Sequence, residues 1–142
     1  MGIKATHRAT LEWKGPVEPG ELPSDNGVYM ALGDHPVYGN RALLYIGKSS
    51  ELNNRVKQHA TWLQREWRPE VYFAVVEPEF LDDVEALLIY AHSPAYNGSG
   101  TDSFSLKATR ELSIWNTGSF FRLLPEITSS HPWYADECRS RA

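Results

Sequence analysis

The chain has one cysteine, Cys138. A single thiol excludes an internal disulfide and any zinc site built from several cysteines. No apolar run approaches the ~18 residues that a membrane crossing requires, so no membrane contact is expected. Residues 1–13 lack the apolar stretch of a secretory signal. Together these absences predict a cytoplasmic protein. Positive charge is not in excess either: 14 Lys and Arg stand against 18 Asp and Glu, a net charge of −4. That argues against a protein that coats DNA non-specifically, which should be basic. There is no internal repeat and no low-complexity tract. The five histidines show no paired metal-ligand spacing.

What is present is an ordinary globular composition, with 42% hydrophobic and 23% charged residues in a chain of 142. At roughly 150 residues per domain this predicts one domain with its own core. The charge is unevenly spread. Between 48 and 68, Lys48, Arg55, Lys57, Arg65 and Arg68 outnumber Glu51 and Glu66. Between 69 and 97 come Glu70, Glu77, Glu79, Asp82, Asp83 and Glu85 with no Lys or Arg. A basic segment beside an acidic one suits a site that holds a phosphate on one side and a metal cation on the other. Either run taken alone is more simply a solvated face.

Glycine and proline set the punctuation. Gly15, Pro16, Pro19, Gly20 and Pro23 make residues 1–26 read as a lead-in loop. Strands are predicted at 27–32, 42–47 and 71–76, each rich in residues that fit a pleated surface. The short, turn-rich link at 33–41 predicts that the first two form an antiparallel hairpin. Leu52, Val56, Ala60, Leu63 and Trp67 recur at helical spacing and predict a helix from about Glu51 to before Pro69. A second helix is predicted from Asp82 to His92, with Asp82 and Glu85 as a capping pair and Pro94 as the stop. Residues 112–116 alternate as a strand does, and 120–124 form a candidate partner. The expected fold is α/β (α+β): a small, largely antiparallel three-stranded sheet flanked by helices, in the order β-β-α-β-α, with a short C-terminal β element. The expected division is a lead-in at 1–26, a core at 27–97, and an extension at 98–142 packed on that core.

Several short motifs fail on inspection. Gly47-Lys48-Ser49 resembles the end of a phosphate-binding loop, but the first glycine of that motif falls on Ala42 in an apolar strand. Glu12-Trp13-Lys14 has no earlier acid to share a metal. The myristoylation-like start and the sequon at Asn97 are short, common patterns.

One constellation survives. Tyr29 and Tyr45 lie on the two hairpin strands, both odd-numbered, with their midpoint at Val37 in the turn. A regular ladder makes them opposite or diagonal neighbours on one face. Arg55 and His59 share one side of the first predicted helix. Glu85 opens the second, and Asn97 follows its stop. Singly, each has a plain structural role: core tyrosine, core-edge histidine, helix-capping glutamate.

As an ordered set these residues resemble the GIY-YIG nuclease superfamily. Gly27-Val28-Tyr29 corresponds to the first signature and Tyr45-Ile46-Gly47 to the second. Arg55 and His59 follow at matching spacing. Glu85 precedes the apolar run Ala86-Leu87-Leu88-Ile89, and Pro94 and Asn97 close the core. The resemblance covers about residues 26–97. It implies an endonuclease that hydrolyses DNA phosphodiester bonds with one Mg²⁺ or Mn²⁺ per active site, leaving a 5′-phosphate and a 3′-hydroxyl. Tyr29, Tyr45, Lys48, Arg55, His59 and Glu85 are then the catalytic candidates, with Glu85 as the metal ligand and Gly47 and Asn97 as structural neighbours. Lys48, Arg55, Lys57, Arg65 and Arg68 are the candidate nucleic-acid contacts.

These residue types suit that chemistry. Glu85 is a hard oxygen ligand for an ion that keeps most of its waters. Arg55 offers a planar fork for two phosphate oxygens. A phenol, with a reference pKa of about 10, needs a cation such as Lys48 or the metal beside its oxygen before it can take a proton from water. Tyr45 is the first candidate for that role, with Tyr29 and His59 orienting water and phosphate. The alternative is a non-catalytic nucleic-acid-binding module on the same scaffold. The residues do not choose between a monomer and a homodimer.

Overall fold

The computed structural model describes residues 6–18, 21–52, 68–97 and 111–129. Its strands are β1 (Thr6–Val17), β2 (Gly27–His35), β3 (Gly39–Ser49), β4 (Glu70–Val75), β5 (Glu111–Gly118) and β6 (Glu126–Thr128). A 3₁₀ turn (Pro78–Phe80) leads into the helix α1 (Leu81–His92). The six strands form one sheet in the order β3-β2-β4-β1-β5-β6. All neighbouring pairs are antiparallel except β1 and β5, which run parallel.

This corrects the expected fold. The sheet has six strands rather than three, it is mixed, and α1 is the α-helix among the described residues. The helix predicted after Glu51 falls mostly on 53–67, outside those residues. The main departure is β1. Gly15 and Pro16, with the prolines that follow, suggest a loop, yet 6–17 is a long strand near the middle of the sheet. The burial alternates: Leu11 and Trp13 are each 1% exposed, while Arg8, Thr10, Glu12 and Lys14 face outward. Period-two alternation of this kind is a strand signal. Pro16 does not break the strand because the register against β4 shifts between Lys14 and Val17, and proline is tolerated at such bulges. The predicted C-terminal element is displaced as well. Residues 120–124 form the connection, and the paired strand is β6.

The sheet buries both faces of β2 and β4. On one, Val28, Met30, Leu32, Ile46, Tyr72 and Ala74 meet the apolar stripe of α1, which includes Val84, Leu87 and Leu88. Burial of each such side chain stabilises by roughly 1.5–3 kcal/mol. On the other face, Tyr29, Val71 and Phe73 pack with Leu22 and Leu52, and with half-buried Tyr45. Asn116, 4% exposed, joins β1 to the C-terminal hairpin. Its Oδ1 accepts from Trp13 Nε1 at 2.8 Å, and its Nδ2 donates to the Leu124 carbonyl at 2.8 Å. A buried amide with its groups paired costs little and ties distant segments to one geometry.

The helix ends at Ser93, in the left-handed region at φ 44°, whose N–H donates to the Ile89 carbonyl. Beyond Pro94 the chain runs along the outer edge of β3. Ala95 and Tyr96 donate their N–H groups to the carbonyls of Leu43 and Leu44 at 3.1 and 2.8 Å. Covering an outer strand in this way satisfies its backbone and blocks adventitious pairing.

Candidate active site

The site is assembled at the end of the β2–β3 ladder where Gly27 pairs with Ser49. Tyr29 stands opposite Gly47, and Tyr45 opposite Ala31. The tyrosines are therefore diagonal neighbours on one face, with ring centroids 6.0 Å apart and planes tilted by 33°. The glycine between them is a spatial requirement. A Cβ at Gly47 would lie 2.5 Å from Tyr29 Cζ and Oη and 2.8 Å from Tyr45 Cε1. The hydroxyl end of Tyr29 thus fills the space that any other residue's side chain would take.

Lys48 is the next residue, and alternation turns it to the other face, where α1 packs. Its ammonium hydrogen-bonds Asp82 Oδ1 and lies 3.7 Å from Glu85 Oε1. The hydrogen bond to Asp82 raises the Lys48 pKa above its ordinary value; burial opposes this, and the charges of Glu85 and Asp82, with a weaker interaction of Lys48 with the Glu85 carboxylate, add to it. The ammonium expected beside a tyrosine oxygen is instead engaged by the helix carboxylates. Asp82 is not the N-cap: Phe80 holds that position, and Asp82 and Asp83 occupy the first turn, where negative charge complements the macrodipole.

Asn97 closes this end from the strand edge. Its Oδ1 accepts from the Ile46 N–H at 3.0 Å and its Nδ2 donates to the Ile46 carbonyl at 2.9 Å. The side chain thus takes the place of a neighbouring strand opposite the residue between Tyr45 and Gly47.

Two groups of candidates are brought together: Tyr29 and Tyr45 over Gly47, and Lys48 with Glu85. They occupy opposite faces of β3, but adjacent residues, Gly47 and Lys48, carry them. Arg68 is elsewhere. It is exposed, with φ 50°, and precedes Glu70, which pairs with Leu32 at the far end of β4. Five residues of strand, about 17 Å, lie between the two ends. Arg55, Lys57, His59 and Arg65 fall outside the described residues. Sequence reading missed Asp82 as a partner of Lys48. The available signal was its i, i+3 spacing from Glu85, which places both acids on neighbouring positions of one helix surface.

Among the described residues no group of three or more His, Cys, Asp or Glu is placed to hold a metal ion. Glu85, with its side chain 20% exposed, is the oxygen donor at this end that a cation could reach, Asp82 being hydrogen-bonded to Lys48. One such carboxylate fits an ion such as Mg²⁺, which keeps several waters and binds through one or two carboxylates. Among the described residues no helix is long and apolar enough to cross a membrane.

The ordered motif set resembles that of GIY-YIG nuclease domains. By sequence the chain matches no family model and no curated protein. By structure it is similar to the GIY-YIG N-terminal endonuclease domain of UvrC from Thermotoga maritima. The magnesium-bound form of that domain is 23% identical, over 56% of this chain and 90% of that one, with a TM-score of 0.43. A point-mutant form bound to its catalytic divalent cation is 22% identical, over 57% and 91%, also with a TM-score of 0.43.

Proposed function

We propose that the chain is a divalent-metal-dependent endonuclease acting on DNA phosphodiester bonds. The observation that carries this reading is the paired arrangement at one strand end: the diagonal tyrosines over Gly47 and, one residue on, Lys48 beside Glu85. A phosphodiester lying across the strand end, rather than on either face, meets both groups. When bound at Glu85, a divalent cation supplies charge neutralisation at the scissile phosphate and the leaving oxygen. Tyr45, the more exposed of the two tyrosines, is the residue to which the resemblance assigns the proton of the attacking water; with Lys48 engaged by the helix carboxylates, the cation held at Glu85 would be the charge that favours this. Tyr29, fixed by Gly47 and 3% exposed, orients that water. Lys48 contributes positive charge toward the phosphate, and Arg55 and His59 hold and orient it, as the resemblance implies. Gly47 and Asn97 set the shape of the strand end. Lys57, Arg65 and Arg68 are nucleic-acid contacts on this reading, with Arg68 touching DNA well away from the cut. The single cysteine suits a reducing, cytoplasmic setting.

The test is cleavage of linear, supercoiled and branched DNA with Mg²⁺ or Mn²⁺, using wild type and Glu85→Gln. Wild type should cut only with the metal. The variant, which keeps side-chain size and loses the anionic ligand, should not cut while melting normally. Binding without cleavage by wild type would favour the non-catalytic module. Normal cutting by folded Glu85→Gln would remove Glu85 as the ligand.

A further inference from the structure

Lys48 stands between two carboxylates and engages them unequally. It hydrogen-bonds Asp82 and remains 3.7 Å from Glu85 Oε1. Both acids are on α1, in its first and second turns. Lys48 is fixed near the end of β3, so the share of the ammonium that each acid takes is set by the other. A lysine ammonium is a compact point charge on a flexible stem. If one carboxylate is removed, the shift needed to reach the other is about an ångström. An ammonium hydrogen-bonded to Glu85 would compete with a cation for the same oxygens, through occupancy and like-charge repulsion.

We infer that Asp82 is a positioning residue that draws Lys48 to itself and keeps its ion pair with Glu85 long, so that the Glu85 carboxylate can accept a divalent cation while a fixed positive charge remains beside it. The inference rests on the nuclease reading above, in which Glu85 is the cation ligand. It assigns Asp82 no contact with substrate or metal. Its whole effect runs through Lys48, and this separates it from a second metal ligand.

Isothermal titration with Mn²⁺ alone, without DNA, tests this on the full chain in four forms: wild type, Asp82→Ala, Lys48→Ala and the double variant. Asp82 is half-exposed and lies inside the first turn rather than at the N-cap position, so Asp82→Ala should fold; a thermal melt checks it. Asp82→Ala should weaken Mn²⁺ binding about tenfold. Lys48→Ala should bind at least as tightly as wild type. Adding Asp82→Ala to Lys48→Ala should change the affinity by less than about twofold, because the side chain that Asp82 restrains is gone. A similar loss with and without Lys48 would make Asp82 a ligand and overturn the inference, as would no loss in the single variant. Absence of Mn²⁺ binding by all four forms, wild type included, would instead overturn the metal-dependent reading and the inference with it.

Discussion

Gly47 shows how much one missing side chain decides. Its Cα lies under the hydroxyl end of Tyr29, and a methyl group there would sit 2.5 Å from both Cζ and Oη of that side chain. Tyr29 is 3% exposed and packed against Phe73 and Leu52, so the ring has little room to retreat. Gly47→Ala should therefore cost about 1–3 kcal/mol, the usual penalty of overpacking, measured as a lower urea midpoint. Tyr45→Phe separates chemistry from packing. Phenylalanine keeps the ring and removes only a hydroxyl on a half-buried side chain, so the melting temperature should hold. If that hydroxyl serves the attacking water, the cleavage rate should fall by about 10² to 10⁴. Wild-type rates in Tyr45→Phe would exclude it from the proton transfer. The tyrosine pair was readable beforehand because strand period and turn position fix which residues are neighbours. The role of Gly47 was not, because it depends on where a ring from the adjacent strand lies.

At the scale of elements, the outer edge of β3 is finished by a side chain. The Asn97 amide meets both backbone groups of Ile46, while the two preceding residues pair with Leu43 and Leu44. Asn97→Ala should cost about 1–3 kcal/mol if the Ile46 groups are left partly buried and unpaired. The Ile46 amide should also exchange faster with solvent, whereas that of Met30, inside the sheet, should not. An unchanged exchange rate at Ile46 would show that water replaces the side chain without cost. The extent of α1 was legible from the acids at its start and from Pro94. The position of β1 was obscured: the turn-forming residues after Lys14 outweighed the alternation before it. Proline and glycine report local backbone preference, and a bulge accommodates both inside a strand.

For the whole molecule, His92 links the helix to the C-terminal hairpin. Its Nε2 accepts from the Leu124 N–H at 2.8 Å, so the ring proton is on Nδ1, which donates to the Leu88 carbonyl at 2.8 Å. Burial pushes the imidazole pKa below its ordinary 6.5, and the bond to Leu88 partly offsets that. The unfolded chain then binds the proton more readily than the folded one. The stability tied to neutral His92 is fully present above pH 6.5 and is lost as the pH falls from there through the folded value. Melting temperatures from pH 8 to 5 should show this decline. His92→Gln, able to make both bonds without titrating, should flatten it; an equally steep decline in that variant would assign the acid sensitivity elsewhere. Spacing along the chain was enough to read the hairpin, the pairing of its tyrosines, the helix with Glu85 near its start, and the motif order that suggests a nuclease. These depend on spacing along a chain whose local geometry is nearly constant. Tertiary structure alone decided that β1 enters the sheet between β4 and β5, that Lys48 turns to Asp82, and that Arg68 lies a strand's length from the site. Each of these depends on which distant segment arrives beside it, and no local period records that.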